Sequence, residues 1–308
     1  MKNKAVFLAG PTAGGKSALA LALAERAGGV IINADSMQVY RELRVVTARP
    51  SPEEEARVPH RLYGYRAASD VSSAAAWSAD ATAALTEAWA AGRLPIVIGG
   101  SGLYLRTLLY GIAPIPDVPA DLRQSVRSRM ATEGPEALHR ELTKLDPETA
   151  VKLTPGDRQR IARALEVALA TGEPLSAWQR RPPEGGLLPG IDALLLVLAP
   201  PRDVLYERCD RRLAQMMAEG GLAEIRAFLA ANPPPDVPLR RALAVPEFSR
   251  HLAGELGFDE ALRLAQTATR QYAKRQMTWF RHQFSDWPSG DEQFLKRLLS
   301  EKFPFIRF

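Results

Sequence analysis

Two groups of residues in this chain have the types and spacing to do chemistry. The first is Gly10-Pro11-Thr12-Ala13-Gly14-Gly15-Lys16-Ser17, a G-x-x-x-x-G-K-[ST] loop. Glycine-rich backbone can curl so that consecutive N–H groups point inward at phosphate oxygens. A helix opening at the loop's end adds the positive pole of its dipole. Lys16 would reach a terminal phosphate, and the Ser17 hydroxyl would sit on a magnesium ion neutralising the same phosphates. The second group is the carboxylate of Asp35, which ends the apolar run 30–34 and is followed by Ser36-Met37-Gln38. In a doubly wound sheet, ligands gather at the carboxyl ends of strands, so Asp35 would stand near the mouth of the phosphate loop. Asp35 or Ser36 would also serve as a helix N-cap, and position alone leaves both roles open. A second glycine-rich turn, Gly99-Gly100-Ser101-Gly102, offers close backbone approach and one more hydroxyl.

The elements that must hold these groups alternate in type. Residues 5–9, 30–34 and 95–98 are short apolar runs that read as buried strands, 60–65 reads as a shorter one, and 191–200 reads as the last strand of the sheet. Residues 17–25 read as a helix, and so do 72–92, where Trp77, Leu85 and Trp89 form one stripe at helical spacing, the pattern of a core-facing surface. After the proline cluster at 114–119 the alternation stops, and helices are predicted over 121–131, 135–145, 157–171 and 174–180. Helices return over 202–219 and 259–284. The pattern predicts an α/β fold: a P-loop NTPase-like parallel sheet flanked by helices, with an inserted all-helical subdomain. The core would comprise residues 1–116 and 190–308, and the insertion 117–189.

Basic side chains outnumber acidic ones, 40 to 35 in 308 residues, a net charge of +5. That balance leans toward a polyanionic partner. Arg160 and Arg163 share one helix face, and acidic partners are sparse in the sequence around 158–163. This suits contact with a nucleic-acid backbone, with a solvated helix surface as the plainer reading. Arg208, Arg211 and Arg212 could clamp a leaving phosphate or be surface charge. Arg270, Lys274 and Arg281 recur at spacings of four and seven and would make a basic stripe. One cysteine, Cys209, excludes an internal disulfide and a Cys-rich zinc site and fits a reducing, cytoplasmic setting. No signal peptide is expected, and no apolar run is long enough to cross a bilayer.

Six stretches, in one order along nearly the whole chain, resemble the tRNA dimethylallyltransferases, the isopentenyl-diphosphate:tRNA transferase family in its bacterial type. They are 10–17, Asn33-Ala-Asp-Ser-Met-Gln-Val-Tyr40, Thr47-Ala-Arg-Pro50, Gly99-Gly-Ser-Gly-Leu-Tyr104, Asp157-Arg-Gln-Arg-Ile-Ala-Arg-Ala-Leu-Glu166 and Thr269-Arg-Gln-Tyr-Ala-Lys-Arg-Gln-Met-Thr-Trp-Phe280. The resemblance implies two substrates, dimethylallyl diphosphate and adenosine 37 in the anticodon stem-loop of tRNAs that read codons beginning with U. It also implies a channel in which the donor's diphosphate and the flipped base meet from opposite sides.

By the resemblance Asp35 is the general base, and Thr12 hydrogen-bonds the donor's bridging or non-bridging oxygen. Gly10, Pro11, Thr12, Ala13, Gly14, Gly15, Lys16, Ser17 and Arg212 hold the diphosphate or a nucleotide, with Mg2+ on Ser17. Asp35, Ser36, Met37, Gln38, Ser101, Arg123, Gln159, Arg160, Ile161, Ala162 and Arg163 contact tRNA. The chemistry agrees: an exocyclic amine is a poor nucleophile until a carboxylate can take its proton, and departing diphosphate needs cations and N–H groups. The family likeness also implies a cytoplasmic monomer with no obligate protein partner and no membrane, and leaves open whether ATP enters the same loop.

Ser17 and Ser101 replace the commoner threonines and keep the hydroxyl. Ala244-Val-Pro-Glu247 and Arg41-Glu-Leu-Arg-Val-Val46 depart from the family pattern near loops that shape the pocket. Two rivals share parts of the pattern: a small-molecule or nucleotide kinase on the same loop, and a non-catalytic RNA-binding protein.

Overall fold

A computed structural model describes residues 3–70 and 72–303. It divides into two compact units, Met1–Leu109 with Leu187–Phe308, and Tyr110–Gly186.

Among the described residues, the larger unit is built on six parallel strands: β1 (Asn3–Ala9), β2 (Gly29–Asn33), β3 (His60–Arg61), β4 (Leu94–Gly99), β5 (Ile191–Leu198) and β6 (Ser289–Gly290). Their spatial order is β3-β2-β4-β1-β5-β6. Parallel strands covered on both faces require continuous apolar runs rather than alternation. Accordingly the last five residues of β1 and all of β2 are buried. β1 is central, in register with β4 (Ala9 opposite Gly99) and with β5 (Ala9 opposite Val197). The carboxyl ends of β1, β2 and β4, where the phosphate loop, Asp35 and the second glycine turn begin, therefore lie side by side.

The helices, in order, are α1 (Lys16–Ala27), α2 (Pro52–Arg57), α3 (Ala74–Ala90), α4 (Gly102–Tyr110), α5 (Ala120–Thr132), α6 (Pro135–Leu145), α7 (Pro147–Ala150), α8 (Arg158–Thr171), α9 (Leu175–Arg180), α10 (Arg202–Met216), α11 (Leu222–Ala230), α12 (Val245–Leu252), α13 (Phe258–Gln283) and α14 (Glu292–Lys302). α1 is nearly all Ala and Leu. It buries Leu19, Leu23, Ala20 and Ala24 against Val6, Leu8, Ile31 and Ile96 of the sheet, and each fully buried Leu or Ile contributes about 1.5–3 kcal/mol. α3 carries the expected stripe: Trp77 and Leu85 are fully buried, and part-buried Trp89 donates its indole N–H to Lys4 O.

The sheet is parallel and helix-flanked, as the alternating pattern predicts. β5 is not its last strand, because β6 pairs beyond it, with Val197 opposite Ser289. α2, α11, α12 and α14 also go beyond the sequence reading. α2 opens on a Ser51/Glu54 capping box in a stretch for which the sequence pattern predicts no element. The second unit holds α5 to α9 around a core of Val126, Leu138, Leu142, Ile161, Leu165 and Trp178. It begins at Tyr110 rather than 117 and ends at Gly186 rather than 189. The reason is a bridge in which Ile112 and Glu184 exchange backbone hydrogen bonds, drawing the proline-rich linkers into the helical unit.

Candidate active site

The phosphate loop follows β1 directly and ends in α1. Gly15 occupies the residue before the helix at φ 99°, a left-handed conformation that favours glycine. Ala13 holds φ 57° without that excuse, a strained backbone of the kind concentrated at ligand sites. Lys16 folds back and donates from Nζ to Pro11 O at 2.7 Å. The residue as a whole is part-exposed, yet desolvation lowers its ammonium to about 8; Asp35 opposes that fall and Arg212 adds to it. Arg212 is also lowered, chiefly by desolvation, again with Asp35 opposing. Asp35, Lys16 and Arg212 thus lie within electrostatic reach of one another.

Asp35 caps no helix. The chain after β2 is a turn, in which Asp35 Oδ1 accepts from Met37 N at 2.9 Å. Buried Asn33 fixes the backbone beneath it: Oδ1 accepts from Asp35 N, and Nδ2 donates to Asp35 O and Leu62 O. Trp77 donates to Asn33 O at 3.0 Å and stacks on Tyr104 at 4.6 Å between ring centres, so α3 and α4 also brace this strand end. Ser36 N donates to Ser101 Oγ at 2.9 Å, and the two hydroxyls are 3.1 Å apart. The second glycine turn is therefore bonded to the residue beside Asp35.

A cavity of about 310 Å³ opens between these elements, lined by the polar side chains of Thr12, Asp35, Arg212 and Tyr272 together with Ala13 and Met37. Val46, Cys209, Leu213, Met216 and Leu243 supply an apolar side. A second cavity of about 300 Å³ lies over Gly14–Ala18 and is walled by Arg208, Arg211 and Arg212. It shares Ala13 and Arg212 with the first. A third, of about 410 Å³, holds Ser36, Ser101, Tyr104 and Trp279 and shares Tyr272 and Arg275 with the first. Phosphate loop, carboxylate and the Ser36–Ser101 pair thus face a chain of adjoining spaces. Burial and Asp35 push the Tyr272 phenol up, and burial raises the Cys209 thiol to about 11, so neither ionises near neutrality.

The cavity wall at 43–48 is itself braced. Glu224 on α11 accepts three backbone N–H groups, from Arg44, Val45 and Val46. Gln38 Nε2 donates to Thr47 O and Ala48 O, which makes it a strut of this wall. Ala48, at φ 57°, and Ala244, at φ 73°, are further non-glycine residues in the left-handed region along or next to the same cavity.

The arginines predicted to matter separate into groups. Arg208 Nη1 contacts Gly14 O at 3.4 Å, Arg211 pairs with Glu207, and Arg212 alone lines both the first and second cavities. Arg270 does not belong to a free basic stripe: both oxygens of Asp210 accept from its Nη1, at 2.5 and 2.6 Å, which ties α13 to α10. Lys274 and Arg281 are exposed. Arg275, which the sequence reading passed over, lines two cavities. Gln276, inside the sixth matching stretch, is buried and likewise carries no role in the sequence reading.

In the helical unit, Gln159, Arg160 and Arg163 are exposed. Acidic partners are nearer than the sequence suggests, with Asp157 3.7 Å from Arg160 and Glu166 3.8 Å from Arg163. Pairs this long and open are worth at most about 1 kcal/mol and leave the guanidiniums usable. Arg123 and Arg127 act electrostatically on the same Glu166, whose carboxyl burial pushes up. Ile161 is different: it is fully buried in the core of the unit, so its side chain has no surface to offer a ligand. Ala162 is half-buried.

A phosphate loop, a carboxylate at the carboxyl end of another strand of the same sheet and a shared cavity define a group-transfer enzyme acting on a phosphorylated donor. Its family follows from comparison. The IPP transferase model matches residues 38–283. A tRNA dimethylallyltransferase of Nitrobacter hamburgensis is 53% identical over 94% of this chain and 91% of its own length, and one of Azorhizobium caulinodans is 54% identical over 94% and 93%. Among solved structures, the tRNA isopentenylpyrophosphate transferase of Bacillus halodurans is similar with TM-score 0.68 at 31% identity, covering 99% of this chain and 97% of that one. A eukaryotic dimethylallyltransferase acting on tRNA is similar with TM-score 0.80 at 25% identity, covering 98% and 79%. The chain belongs to the IPP transferase family.

Proposed function

We propose that this protein is a tRNA dimethylallyltransferase. It moves the dimethylallyl group of dimethylallyl diphosphate to N6 of adenosine 37 in tRNAs reading codons that begin with U, and releases diphosphate. The observation that carries the reading is one cavity with two chemistries in it: Thr12 and Arg212 for the donor, and the Asp35 carboxylate for the acceptor. The apolar lining of Val46, Leu213 and Met216 beside a phosphate loop suits a five-carbon allylic group.

In the transfer, a bond forms between adenine N6 and the first allylic carbon as the bond from that carbon to the bridging oxygen breaks. The electron pair leaves with diphosphate. The N6 proton goes to Asp35, whose carboxylate is held toward the cavity by the Met37 N–H. Loop N–H groups, Lys16 and Arg212 meet the charge that grows on the departing oxygens, and Thr12 contributes a hydroxyl. Ser36, Ser101 and the aromatic walls of the third cavity suit an unstacked base. In the helical unit, Arg123, Arg160 and Arg163 would meet backbone phosphates of the anticodon stem-loop.

Magnesium fits the loop in a limited way. Among the described residues no cluster of three or more His, Cys, Asp or Glu could hold a metal ion, but Mg2+ commonly takes one or two protein oxygens and completes its shell with phosphate and water. Exposed Ser17, beside Lys16 in the second cavity, can supply such an oxygen. Bound there, the ion would neutralise charge on the diphosphate.

The test is mass spectrometry of nucleosides from unmodified tRNA incubated with the protein, Mg2+ and dimethylallyl diphosphate. A dimethylallyl mass gain confined to adenosine 37 is expected. An unmodified adenosine 37, with or without turnover of ATP, would overturn the reading.

A further inference from the structure

Gln276 sits in the middle of α13 with 6% of its surface exposed. Its Oε1 accepts from Thr12 N at 2.8 Å, and its Nε2 donates to Gly100 O at 2.9 Å. One amide therefore joins the phosphate loop to the second glycine turn. The turn continues directly into Ser101, whose hydroxyl accepts from Ser36 N, the residue after Asp35. The lack of a side chain at residue 100 is part of the same joint, since a Cβ there would fall 2.2 Å from Gln276 Nε2.

We propose that Gln276 is a positioning residue for the transfer: it keeps the donor loop in register with the turn that carries the acceptor-side hydroxyl and, through Ser36, with Asp35. The inference rests on the transferase reading above. Only a carboxamide at this length both accepts and donates. It also engages the Thr12 backbone N–H, which is then not offered to a phosphate oxygen. The loop's anion-binding N–H groups begin at Ala13, and Thr12 is left to act through its hydroxyl. Reaction rates fall by about two orders of magnitude when reacting groups are misplaced by roughly 1 Å. Binding each substrate separately needs only one side of the joint.

The experiment is steady-state kinetics on tRNA and dimethylallyl diphosphate with the wild type, Gln276→Met, Gln276→Glu, Gly100→Ala and the pair Gln276→Met with Gly100→Ala. Gln276→Met removes both hydrogen bonds at similar volume, and kcat is expected to fall about 10- to 100-fold with each KM changed less than about threefold. Gln276→Glu keeps the acceptor toward Thr12 at the original length and should show the same split in milder form, so a Met variant that fails to fold leaves the question open to measurement. Gly100→Ala should match Gln276→Met. The double variant should be no worse than its worse single member, because both act on one contact. Unchanged kcat in Gln276→Met, a loss confined to KM, or losses that multiply in the double variant would each overturn the proposal. An inactive wild type would instead refute the transferase reading itself.

Discussion

The unusual state of Lys16 makes a quantitative prediction about donor binding. Desolvation holds its ammonium at about 8 in the free protein, well below the ordinary lysine value. The sign follows directly: below pH 8 the side chain is charged and attracts diphosphate, and above pH 8 the free protein has lost that charge. A bound polyanion favours the protonated form, so binding takes up a proton wherever free Lys16 is neutral. The apparent Kd then scales as one plus ten to the power (pH − 8), a rise of about tenfold from pH 7 to pH 9. Other groups facing the site do not mimic this. Cys209 is raised to about 11 and Tyr272 is pushed up by burial, while guanidinium groups keep their charge in this range. The assay is calorimetric titration with a non-reacting thiolo analogue of dimethylallyl diphosphate at fixed ionic strength between pH 7 and 9.5. Lys16→Arg, cationic throughout, should flatten the profile, and Lys16→Ala should weaken binding at pH 7 and flatten it as well. A wild-type Kd that stays level to pH 9, or a slope that survives in Lys16→Ala, would refute the argument.

Other outcomes can be checked in parallel. Asp35→Asn keeps an acceptor for the Met37 N–H but cannot take a proton, so kcat should drop by about 10²- to 10⁴-fold while tRNA binding in a filter assay is retained; substantial residual turnover removes Asp35 from the base role. Charge reversal at Arg160 together with Arg163 should weaken tRNA binding and lower the slope of log K against log salt by roughly 0.9 for each lost phosphate contact. An unchanged slope returns both residues to ordinary surface. Ala244→Gly should leave stability within about 1 kcal/mol of wild type, because release of the left-handed penalty at φ 73° is offset by loss of a fully buried methyl group; a loss of several kcal/mol in denaturant titration would count against strain there. Arg270→Ala should lower stability by about 1 kcal/mol, as expected for a part-exposed but doubly bonded pair with Asp210, and Asp210→Ala should cost no more when added to it.

Much of this molecule is written locally in its sequence. Val6, Phe7 and Leu8 run without a polar break because both faces of β1 are covered, and Gly15 stands where a left-handed residue must join loop to helix. Asp35 was legible as a group at a strand end, but its rival role as a cap was not decidable, since the turn at 36–39 depends on Asn33, Ser101 and Trp77 from other segments. The same limit explains the rest. Nothing near Arg270 in sequence announces Asp210, sixty residues away, so a bonded strut read as free charge. Ile161 lay within a matching stretch, yet helical periodicity puts it on the face opposite Arg160 and Arg163. Gln276 and Glu224 look like ordinary polar residues of amphipathic helices until the loops they hold, more than a hundred positions distant, are folded against them.

The chain enters and leaves the helical insertion along one pair of neighbouring segments. Leu187 N bonds to Leu108 O on one side of the junction, and Ile112 and Glu184 exchange bonds on the other. Outgoing and returning chain therefore run as neighbours, roughly 5 Å apart as in any antiparallel pair. Such a seam tolerates cutting and rejoining. The 77-residue module bounded by Tyr110 and Gly186 can be replaced by a short closure or exchanged for that of a relative without stretching the backbone of the remainder. Chimeras made at this seam would test whether the module sets nucleic-acid preference.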